Sequence, residues 1–557
     1  MTNEGQQLKP DTASGVLDAV VVGAGFAGMY MVKRLVDLGR TVRCYEAGSN
    51  VGGTWYWNRY PGAQCDVESL EYSYSFAADL QQEWNWSRRF APQPEILKYA
   101  NHVADRFDLR RHIQFDTRVD SALYDAAAGL WTVKLRNGET VRTRFCIMAS
   151  GNLSTPRVPD IPGLDTFKGE SHHSSRWPAG GVDFEGKRVA VIGTGSTGIQ
   201  IIPVIAKSAA RLFVFQRSPN FIVPARNGPL DADFLREYKA VYPQMRHTAQ
   251  QSQFGVADLP MPTHAALEVS PEERDARYEL MWNRGSHPAF LTAFNDLLLD
   301  EAANETAAEF VRRKIRSVVE DPQVAELLCP FDHPLGARRL CVGTDYFETY
   351  NRPNVTLVDV RSAPIEQITE KGLCVGGVEY EVDMIVFATG FDAMTGALRE
   401  IDIRGAGGQA LNDKWAHGPL TYLGLMMAGF PNLFVITGPG SPSVKSNVVL
   451  SIEQHVDWIA DCLAALEQRG MASVEADPAA EAQWVAHVNE VANRTLYVKA
   501  DSWYTGANVP GKPRVFMPYV GGIGNYRRIC DEVAADNYRG FILKPAAAVA
   551  AAARRCA

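Results

Sequence analysis

The sequence predicts an α/β fold with two Rossmann-like dinucleotide-binding domains and a helical insertion in the second of them. Two observations predict the domains: an apolar strand leads into the pattern GxGxxG at residues 23–28, and the same combination returns at 193–198. A third observation predicts the insertion, because residues 228–331 lose the strand pattern and become helical. Strands that alternate with helices around each motif are typical of parallel sheets.

The first glycine motif lies near the start of the chain. Residues 18–22 form its apolar strand, and the next strand ends in Glu46, 18 residues after Gly28. The three glycines permit a tight turn, close approach of a pyrophosphate and close packing of helix on strand. The phosphates then lie at the helix N-terminus, and the acid accepts hydrogen bonds from a ribose diol. The predicted contacts are Gly23, Gly25, Phe26, Ala27, Gly28 and Glu46. The alternative is a glycine-rich turn without a ligand.

The second glycine motif differs at the position that faces the ribose. Residues 187–192 form its strand, and the following strand ends in Gln216, Arg217 and Ser218, so arginine takes the place of the acid. A carboxylate there would repel a 2′-phosphate, whereas a guanidinium binds one through two parallel hydrogen bonds. The second site therefore suits NADP, and the first suits a dinucleotide with a free ribose. The alternative is that Arg217 is a solvated surface arginine.

Two different dinucleotide sites in one chain indicate two cofactors that exchange electrons, with FAD at the first site and NADPH at the second. Apolar strands at 148–151 and 386–390 end in small residues and glycine, and they return the chain to each nucleotide fold. Each domain is therefore expected to consist of separated pieces. The predicted parts are 1–150 and 387–545 for the FAD domain, 151–227 and 332–386 for the NADP domain, 228–331 for the helical insertion and 546–557 for an alanine-rich tail.

Composition excludes several other classes of protein. The 557 residues include 64 acidic and 56 basic ones, a net charge of −8, which argues against a general nucleic-acid binder. No apolar run has the length of a membrane span, and the N-terminus lacks the pattern of a signal peptide. The nine cysteines include no CxxC pair, so we expect reduced thiols and no metal site in a cytoplasmic enzyme.

Two longer motifs point to a family. Residues 53–66 match GxWxxxx[FY]PGxxxD, and residues 167–178 match FxGxxxHxxxWP. With these motifs beside two Rossmann signatures, the sequence resembles the type I Baeyer–Villiger monooxygenases over about residues 18–543. The likeness is greatest to the phenylacetone and steroid monooxygenase branch, as the segment 504–512 illustrates.

The resemblance implies a reaction. NADPH would reduce FAD, O2 would add at flavin C4a, and the peroxyflavin would attack a ketone carbonyl, after which rearrangement gives an ester or a lactone. The implied partners are a ketone and O2, with sulfide oxidation as a secondary activity and the chain as a monomer or weak oligomer. The alternative is an N- or S-oxygenating flavin-containing monooxygenase, which Trp177, Pro178 and Arg339 disfavour.

The implied chemistry needs a fixed cation beside the carbonyl oxygen, because the attacking peroxide must stay anionic and the adduct is an oxyanion. Arginine suits this role, since it stays protonated and donates from a rigid plane. Residues 336–341 align with the family's Lys-Arg motif, which makes Arg339 the catalytic candidate and Asp66 its partner. Arg338 replaces a lysine that contacts the NADP 2′-phosphate in relatives. The alternative for Arg339 is an ion pair that only joins two domains.

The resemblance also implies cofactor contacts. Further residues expected at FAD are Gly53, Thr54, Trp55, Tyr56, Trp57, Asp66, Tyr72, Val119 and Val448. Residues expected at NADP are Gln64, Cys65, Thr194, Gly195, Ser196, Thr197, Gly198, Ile199, Gln200, Arg217, Ser218, Arg338 and Trp503. Trp503 belongs to a loop near 501–516 that is mobile in relatives and folds over NADP.

One further loop is expected to shape the ketone site by resemblance, and its pocket residues are Ser443, Val444 and Lys445. In the phenylacetone branch the position of Lys445 is apolar. The lysine either makes the pocket more polar or narrower, or its stem packs while its amine reaches solvent.

Overall fold

The structure, a computed structural model, describes residues 15–259 and 261–545. Its strands are β1 Val16–Val22, β2 Val42–Tyr45, β3 Ile113–Gln114, β4 Val119–Asp125, β5 Leu130–Leu135, β6 Thr140–Met148, β7 Glu170–His173, β8 Arg188–Ile192, β9 Arg211–Gln216, β10 Ile222–Pro224, β11 Cys341–Gly343, β12 Val355–Asp359, β13 Ile365–Ile368, β14 Gly372–Val375, β15 Val378–Glu381, β16 Met384–Phe387, β17 Asp402–Arg404, β18 Leu433–Val435, β19 Met471–Ala476 and β20 Phe541–Pro545.

Its α-helices are α1 Phe26–Asp37, α2 Thr54–Trp57, α3 Ala78–Glu83, α4 Gln93–Arg106, α5 Ser196–Ile205, α6 Ala232–Ala240, α7 Tyr242–Gln251, α8 Pro271–Arg284, α9 His287–Leu291, α10 Glu301–Val318, α11 Pro322–Leu328, α12 Gly396–Arg399, α13 Leu411–Lys414, α14 Val448–Gln468, α15 Pro478–Asn493 and α16 Ile523–Ala535. Short 3₁₀ turns, among them Ser443–Lys445 and Trp503–Thr505, lie between these helices.

The first large sheet carries the first glycine motif. Its strand order is β17-β4-β5-β6-β1-β2-β3, with β18 also paired to β6. The strand before the motif, β1, lies between β6 and β2 and is parallel to both. A tight turn at residues 137–138 joins β5 to β6, and these two strands pair antiparallel around it. Helices α1 and α14 pack together against this sheet, and its core includes their buried apolar faces.

The second large sheet carries the second glycine motif. Its order is β12-β9-β8-β16-β7, and all of its strands are parallel. The central strand β8 has fully buried Val189, Ala190 and Val191, as expected for a parallel sheet covered on both faces. The strands at the two predicted returns are β6, which pairs with β1 in the first sheet, and β16, which pairs with β8 in the second. Later in the chain, β17 and β18 also join the first sheet.

The region 228–331 is helical, but it does not pack on one domain alone. Helices α8, α9 and α10 pack in the core of the second sheet through residues such as Tyr278 and Phe310. The earlier helices α6 and α7 instead place Tyr238 and Tyr242 against the core of the first sheet. The expectation of an insertion belonging to the NADP domain therefore needs correction for its first two helices, whose apolar faces bury against the FAD domain.

Eight cysteines lie in the described ranges, and all eight are free thiols. In the described ranges, no helix has the length and apolar character that a bilayer crossing requires. No group of three or more potential metal ligands occurs among the described side chains. The alanine-rich tail at 546–557 lies outside the described residues.

Candidate active site

Both glycine motifs adopt the geometry that the sequence predicts. A Cβ atom on Gly28 would lie 1.8 Å from the carbonyl oxygen of Gly23, and one on Gly198 would lie 2.2 Å from that of Gly193. Helix and strand therefore approach so closely that only glycine fits at these two positions. The helices α1 and α5 begin after Gly25 and Gly195, and no side chain caps their N–H groups. These N-termini are open to accept phosphate.

The space in front of the second motif fits a pyrophosphate. A Cβ atom on Gly195 would meet nothing within 4 Å, whereas a Cβ atom on Gly25 would meet only the Cα of Gly53 at 3.4 Å and its N at 3.8 Å. The predicted contacts of the second motif therefore surround an open cradle at the carboxyl end of β8. The predicted FAD contact Gly53 lies against the first motif, which brings these two segments together at one edge of the first sheet.

Glu46 is buried, with 5% of its surface exposed, and it is placed beside the first motif. Its carboxylate accepts the N–H of Ala24 at 2.7 Å and that of Gly48 at 2.8 Å. Burial raises the pKa of this carboxyl, and the backbone N–H groups oppose the shift. The two oxygens retain lone pairs for a ribose diol. Glu46 thus orders the glycine loop as well as facing the predicted ribose position.

The aromatic FAD candidates fall into two groups. Trp55 and Tyr72 are buried and joined, since the indole N–H of Trp55 donates to the Tyr72 hydroxyl at 3.0 Å. Trp57 is exposed to 37% and lies beside Glu46. Val119 is buried at the start of β4, and Val448 is half-buried at the start of α14. The first pair supports the core, whereas Trp57 borders the open nucleotide site.

The segment 60–66 packs against the second nucleotide domain. The Tyr60 hydroxyl donates to Oε1 of Gln200 at 2.8 Å, and Nε2 of Gln200 donates to the backbone oxygen of Gln64 at 3.0 Å. The neighbouring Cys65 is buried, and burial raises the pKa of its thiol. Gln64 and Gln200 are therefore in contact, whereas their binding of NADP stays a prediction. The buried Cys65 is an unreactive thiol next to Gln64.

Arg217 and Arg338 are brought together at the carboxyl edge of the second sheet. Arg217 is exposed, directly after β9. The pKa of Arg338 is lowered by burial and then by neighbouring positive charges, that of Arg217 among them. Thr194 connects the second glycine motif to this edge, because its hydroxyl donates to the backbone oxygen of Ser218 at 3.0 Å. The edge is positively charged and open, as a 2′-phosphate site requires.

A third arginine at this edge was not predicted from the sequence. Arg361 follows β12, which lies beside β9 in the sheet, and its guanidinium donates to Asp332 at 2.5 Å. The other partners of the Asp332 carboxylate are Ser218, His333 and Arg338. A cleft of about 350 Å³ is lined by Asp332, Arg338, Arg361 and residues 498–501. No sequence motif marks Arg361, because only the β12–β9 pairing brings it here.

Arg339 and Asp66 form a bidentate ion pair between the two nucleotide domains. Nε and Nη2 of Arg339 donate to the two carboxylate oxygens at 2.8 and 2.7 Å, and Nη1 donates to the backbone oxygen of Val444 at 3.2 Å. Burial opposes charge on Asp66, but the guanidinium outweighs it and holds the pKa of Asp66 below its usual value. Both catalytic candidates are therefore charged and fixed in position.

Two side chains near this pair, His287 and Tyr504, were not predicted as site residues from the sequence. His287 lies at the start of α9, within electrostatic reach of Asp66 and Arg339. Burial lowers its pKa to about 3, so the imidazole is neutral. Tyr504 also lies beside Arg339, and burial raises its pKa to about 12. Nδ1 of His287 and the Tyr504 hydroxyl are buried and have no hydrogen-bond partner among the described residues. Such orphaned atoms fit a site that receives a ligand.

Lys445 does not extend into bulk water. Its Nζ lies 3.7 Å from the centroid of the Tyr497 ring and 4.4 Å from that of Tyr504. The alternative in which the amine reaches solvent is therefore wrong, because the amine is held over two aromatic faces beside Arg339. The other pocket candidates, Ser443 and Val444, form the same short turn.

The segment 501–516 is held close to this site. Trp503 packs against Tyr504 with ring centroids 4.2 Å apart. Lys512 donates to the Asp392 carboxylate at 2.5 Å, and Asn508 donates to the backbone oxygen of Phe391 at 2.7 Å. The segment therefore covers the region between the domains, and its mobility stays a prediction.

Comparisons with known proteins agree with this arrangement. The family model described as flavin-binding monooxygenase-like matches residues 18–242. A protein of Pseudooceanicola batsensis named Baeyer-Villiger monooxygenase is 45% identical over 536 residues, which are 95% of this chain and 97% of that protein. Oxidised steroid monooxygenase bound to NADP is 54% identical, with a TM-score of 0.91 and coverage of 95% and 99%. A complex of OTEMO with FAD and NADP is 45% identical, with a TM-score of 0.92 and the same coverage.

Proposed function

The chain belongs to the Baeyer–Villiger monooxygenases, and from this premise we propose that its reaction takes place around Arg339 and Asp66, between the two nucleotide sites. The enzyme is a flavoprotein that uses FAD and NADPH to insert one oxygen atom of O2 next to a ketone carbonyl, giving an ester or a lactone. The observation that carries the location is the bidentate bond between two residues contributed by different nucleotide domains.

The two nucleotide sites suit these cofactors. The open N-termini of α1 and α5 would hold the two pyrophosphates, Glu46 the free ribose of FAD, and Arg217 with Arg338 the 2′-phosphate of NADPH. When bound, NADPH would supply the electrons and FAD would use them to activate O2, the source of the inserted oxygen atom. The chain's own contribution is to bind both nucleotides, to keep them apart from water and to place the ketone.

Arg339 stabilises the negative charge that develops on the carbonyl oxygen of the ketone. A guanidinium has five N–H groups, and three of them are engaged by Asp66 and Val444. The remaining two form no further hydrogen bond of this kind with the described residues and are available to the reacting oxygens and to the neighbouring Tyr504 hydroxyl. Because the donors are already fixed, no reorganisation is needed as the charge forms.

Asp66 acts through Arg339 as a positioning residue. Its two bonds fix the plane of the guanidinium, and its own low pKa means that it does not protonate and release the arginine. The neutral His287 adds no competing charge beside the pair. Around them, Trp503 and Tyr504 cover the site and limit the access of water.

The experiment that tests this function supplies FAD, NADPH and ¹⁸O2 with aliphatic, cyclic, aryl and steroid ketones. We expect ketone-dependent oxidation of NADPH and an ester or lactone that carries one labelled oxygen, detected by mass spectrometry. Oxidation of amines or sulfides without ester from any ketone would support the alternative N- or S-oxygenating enzyme. NADPH consumption that is independent of every substrate would contradict both.

The setting of the enzyme is also a proposal. The eight free cysteines of the described chain support a reducing compartment such as the cytoplasm. We expect a monomer or weak oligomer, which sedimentation of the holoenzyme over a range of concentrations would test.

A further inference from the structure

The turn Ser443–Lys445 is held rigidly at the entrance to α14. Ser443 has a φ of 44°, in the left-handed region that serine rarely adopts, and Nδ2 of Asn152 donates to its hydroxyl at 2.7 Å. The N–H of Lys445 donates to the backbone oxygen of Pro442 at 2.8 Å, and Arg339 holds the oxygen of Val444. The direction in which Lys445 leaves the turn is therefore fixed by contacts on both sides of it.

The Lys445 ammonium group has aromatic partners but no acidic one. The faces of Tyr497 and Tyr504 lie within cation–π distance. Among the residues that the structure describes, no carboxylate forms an ion pair with this lysine, although many ion pairs occur elsewhere in the chain. Burying a cation without a counter-ion costs free energy. A bound anion at this position would reduce that cost.

A protonated Lys445 leaves one positive charge in excess among the groups that face it. Arg339 is cationic, and Asp66 is anionic but already shared with Arg339 through both of its oxygens, so neither balances a proton on the lysine. His287 is neutral, because burial lowers its pKa to about 3, and Tyr504 is neutral, because burial raises its pKa to about 12. Burial raises the pKa of Tyr497 as well.

The environment of Lys445 disfavours the charged form of its amine. Burial lowers the pKa of this lysine, and the charge of Arg339 lowers it further. An anion bound beside it would relieve both effects, and one negative charge would balance the one positive charge in excess. A monoanion suits the site better than a doubly charged phosphate.

We propose that Lys445 binds a carboxylate of the substrate, so that the preferred ketones of this enzyme are oxo acids whose carbonyl oxygen meets Arg339 while their carboxylate meets the ammonium group. The inference rests on the proposed function and names its substrate class. The carboxylate takes no part in bond making, so the product is the corresponding ester with its acid group retained.

The test compares straight-chain oxo acids of increasing length with their methyl esters, which keep the ketone and remove the charge. For the acid of matching length, we expect the wild-type holoenzyme to show kcat/KM at least tenfold above that of its methyl ester. Lys445→Leu should abolish this preference, so that the acid and its methyl ester show similar kcat/KM in that variant. Lys445→Arg should keep the preference, since it keeps the charge. Lys371→Leu, at an exposed lysine of the β13–β14 turn, is the matched control.

A binding measurement separates recognition from turnover. With the oxidised holoenzyme and NADP+, where no oxygenation occurs, the acid should perturb the flavin absorbance with a Kd at least tenfold lower in wild type than in Lys445→Leu. An acid-to-ester ratio that is the same in wild type and Lys445→Leu, while neutral ketones still give esters, would overturn this inference alone. The absence of product from every ketone would overturn the proposed function instead.

Discussion

Arg339 and Asp66 are 273 positions apart in the chain, and their side chains share two hydrogen bonds of 2.7 and 2.8 Å. Asp66 follows the aromatic segment beside the first nucleotide site, and Arg339 leads into β11 beside the second. The pair therefore forms only when the two domains dock. On the proposed function, we expect oxygen transfer to depend on correct docking, because Arg339 and Asp66 meet only in that arrangement.

Arg339→Ala should separate the two half-reactions. Removing one preorganised donor costs about 2.7–4 kcal/mol of transition-state stabilisation, so ester formation should fall by a factor of roughly 10²–10³. Flavin bleaching by NADPH without oxygen should persist, because it does not need a cation at the ketone. Stopped-flow measurement of both half-reactions, with ester and hydrogen peroxide quantified, checks this. Arg339→Lys should recover only part of the activity, and ester formation at the wild-type rate in Arg339→Ala would exclude the residue.

Arg217→Ala should weaken the binding of NADPH but not that of NADH. The loss of a charge-assisted hydrogen bond to the 2′-phosphate costs about 1.5–3 kcal/mol, or roughly ten- to a hundredfold in apparent affinity. KM for NADH, which lacks that phosphate, should change little. Steady-state kinetics with both cofactors provide the measurement. Equal losses with NADPH and NADH would support the alternative of a solvated surface arginine.

Arg361→Ala should weaken binding of 2′,5′-ADP by about three- to tenfold. This loss is smaller than that expected for a buried arginine, because Arg361 is half exposed and solvent screens its charge. Binding of 5′-AMP, which has no 2′-phosphate, should be unchanged. Titration calorimetry of the holoenzyme measures both. Arg352→Ala, at an exposed arginine just before β12, is the control and should match wild type. Similar losses for both nucleotides would place Arg361 at the adenine instead.

Glu71 should make stability depend on pH. It is 3% exposed, and burial raises its pKa to about 7 from an ordinary value of 4.5. Because the folded-state pKa is the higher one, its contribution is complete below pH 4.5 and is lost as pH rises to about 7, which amounts to roughly 3 kcal/mol.

Glu71→Gln mimics the protonated carboxyl, so its Tm should exceed that of wild type at pH 8 by about 2–3 °C more than at pH 5. Differential scanning calorimetry at the two pH values measures this, with Glu237→Gln at an exposed glutamate as the control. A Tm difference that does not change with pH would show that Glu71 is already ionised at pH 5.

Features encoded by a few neighbouring residues could be predicted from the sequence. Gly28 must be glycine because a Cβ would strike the turn five residues earlier, and that constraint is local. The strands and helices around each motif follow from apolar periodicity. Glu46 and Arg217 could be assigned because each ends the strand after its motif, a fixed place in this fold. The resemblance added Arg339 and Asp66, which the structure brings together.

Other features depended on how distant segments pair. Arg361 joins the phosphate edge only because β12 pairs with β9, and His287 reaches Arg339 and Asp66 only because α9 packs at the domain boundary. The direction of Lys445 depended on Tyr497 and Tyr504, which lie far along the chain. A local pattern records which face of an element is apolar, but it carries no information about which remote element covers that face. The sequence by itself therefore determined the two nucleotide folds and their cofactors, whereas the tertiary structure decided which charges meet where the ketone is expected to bind.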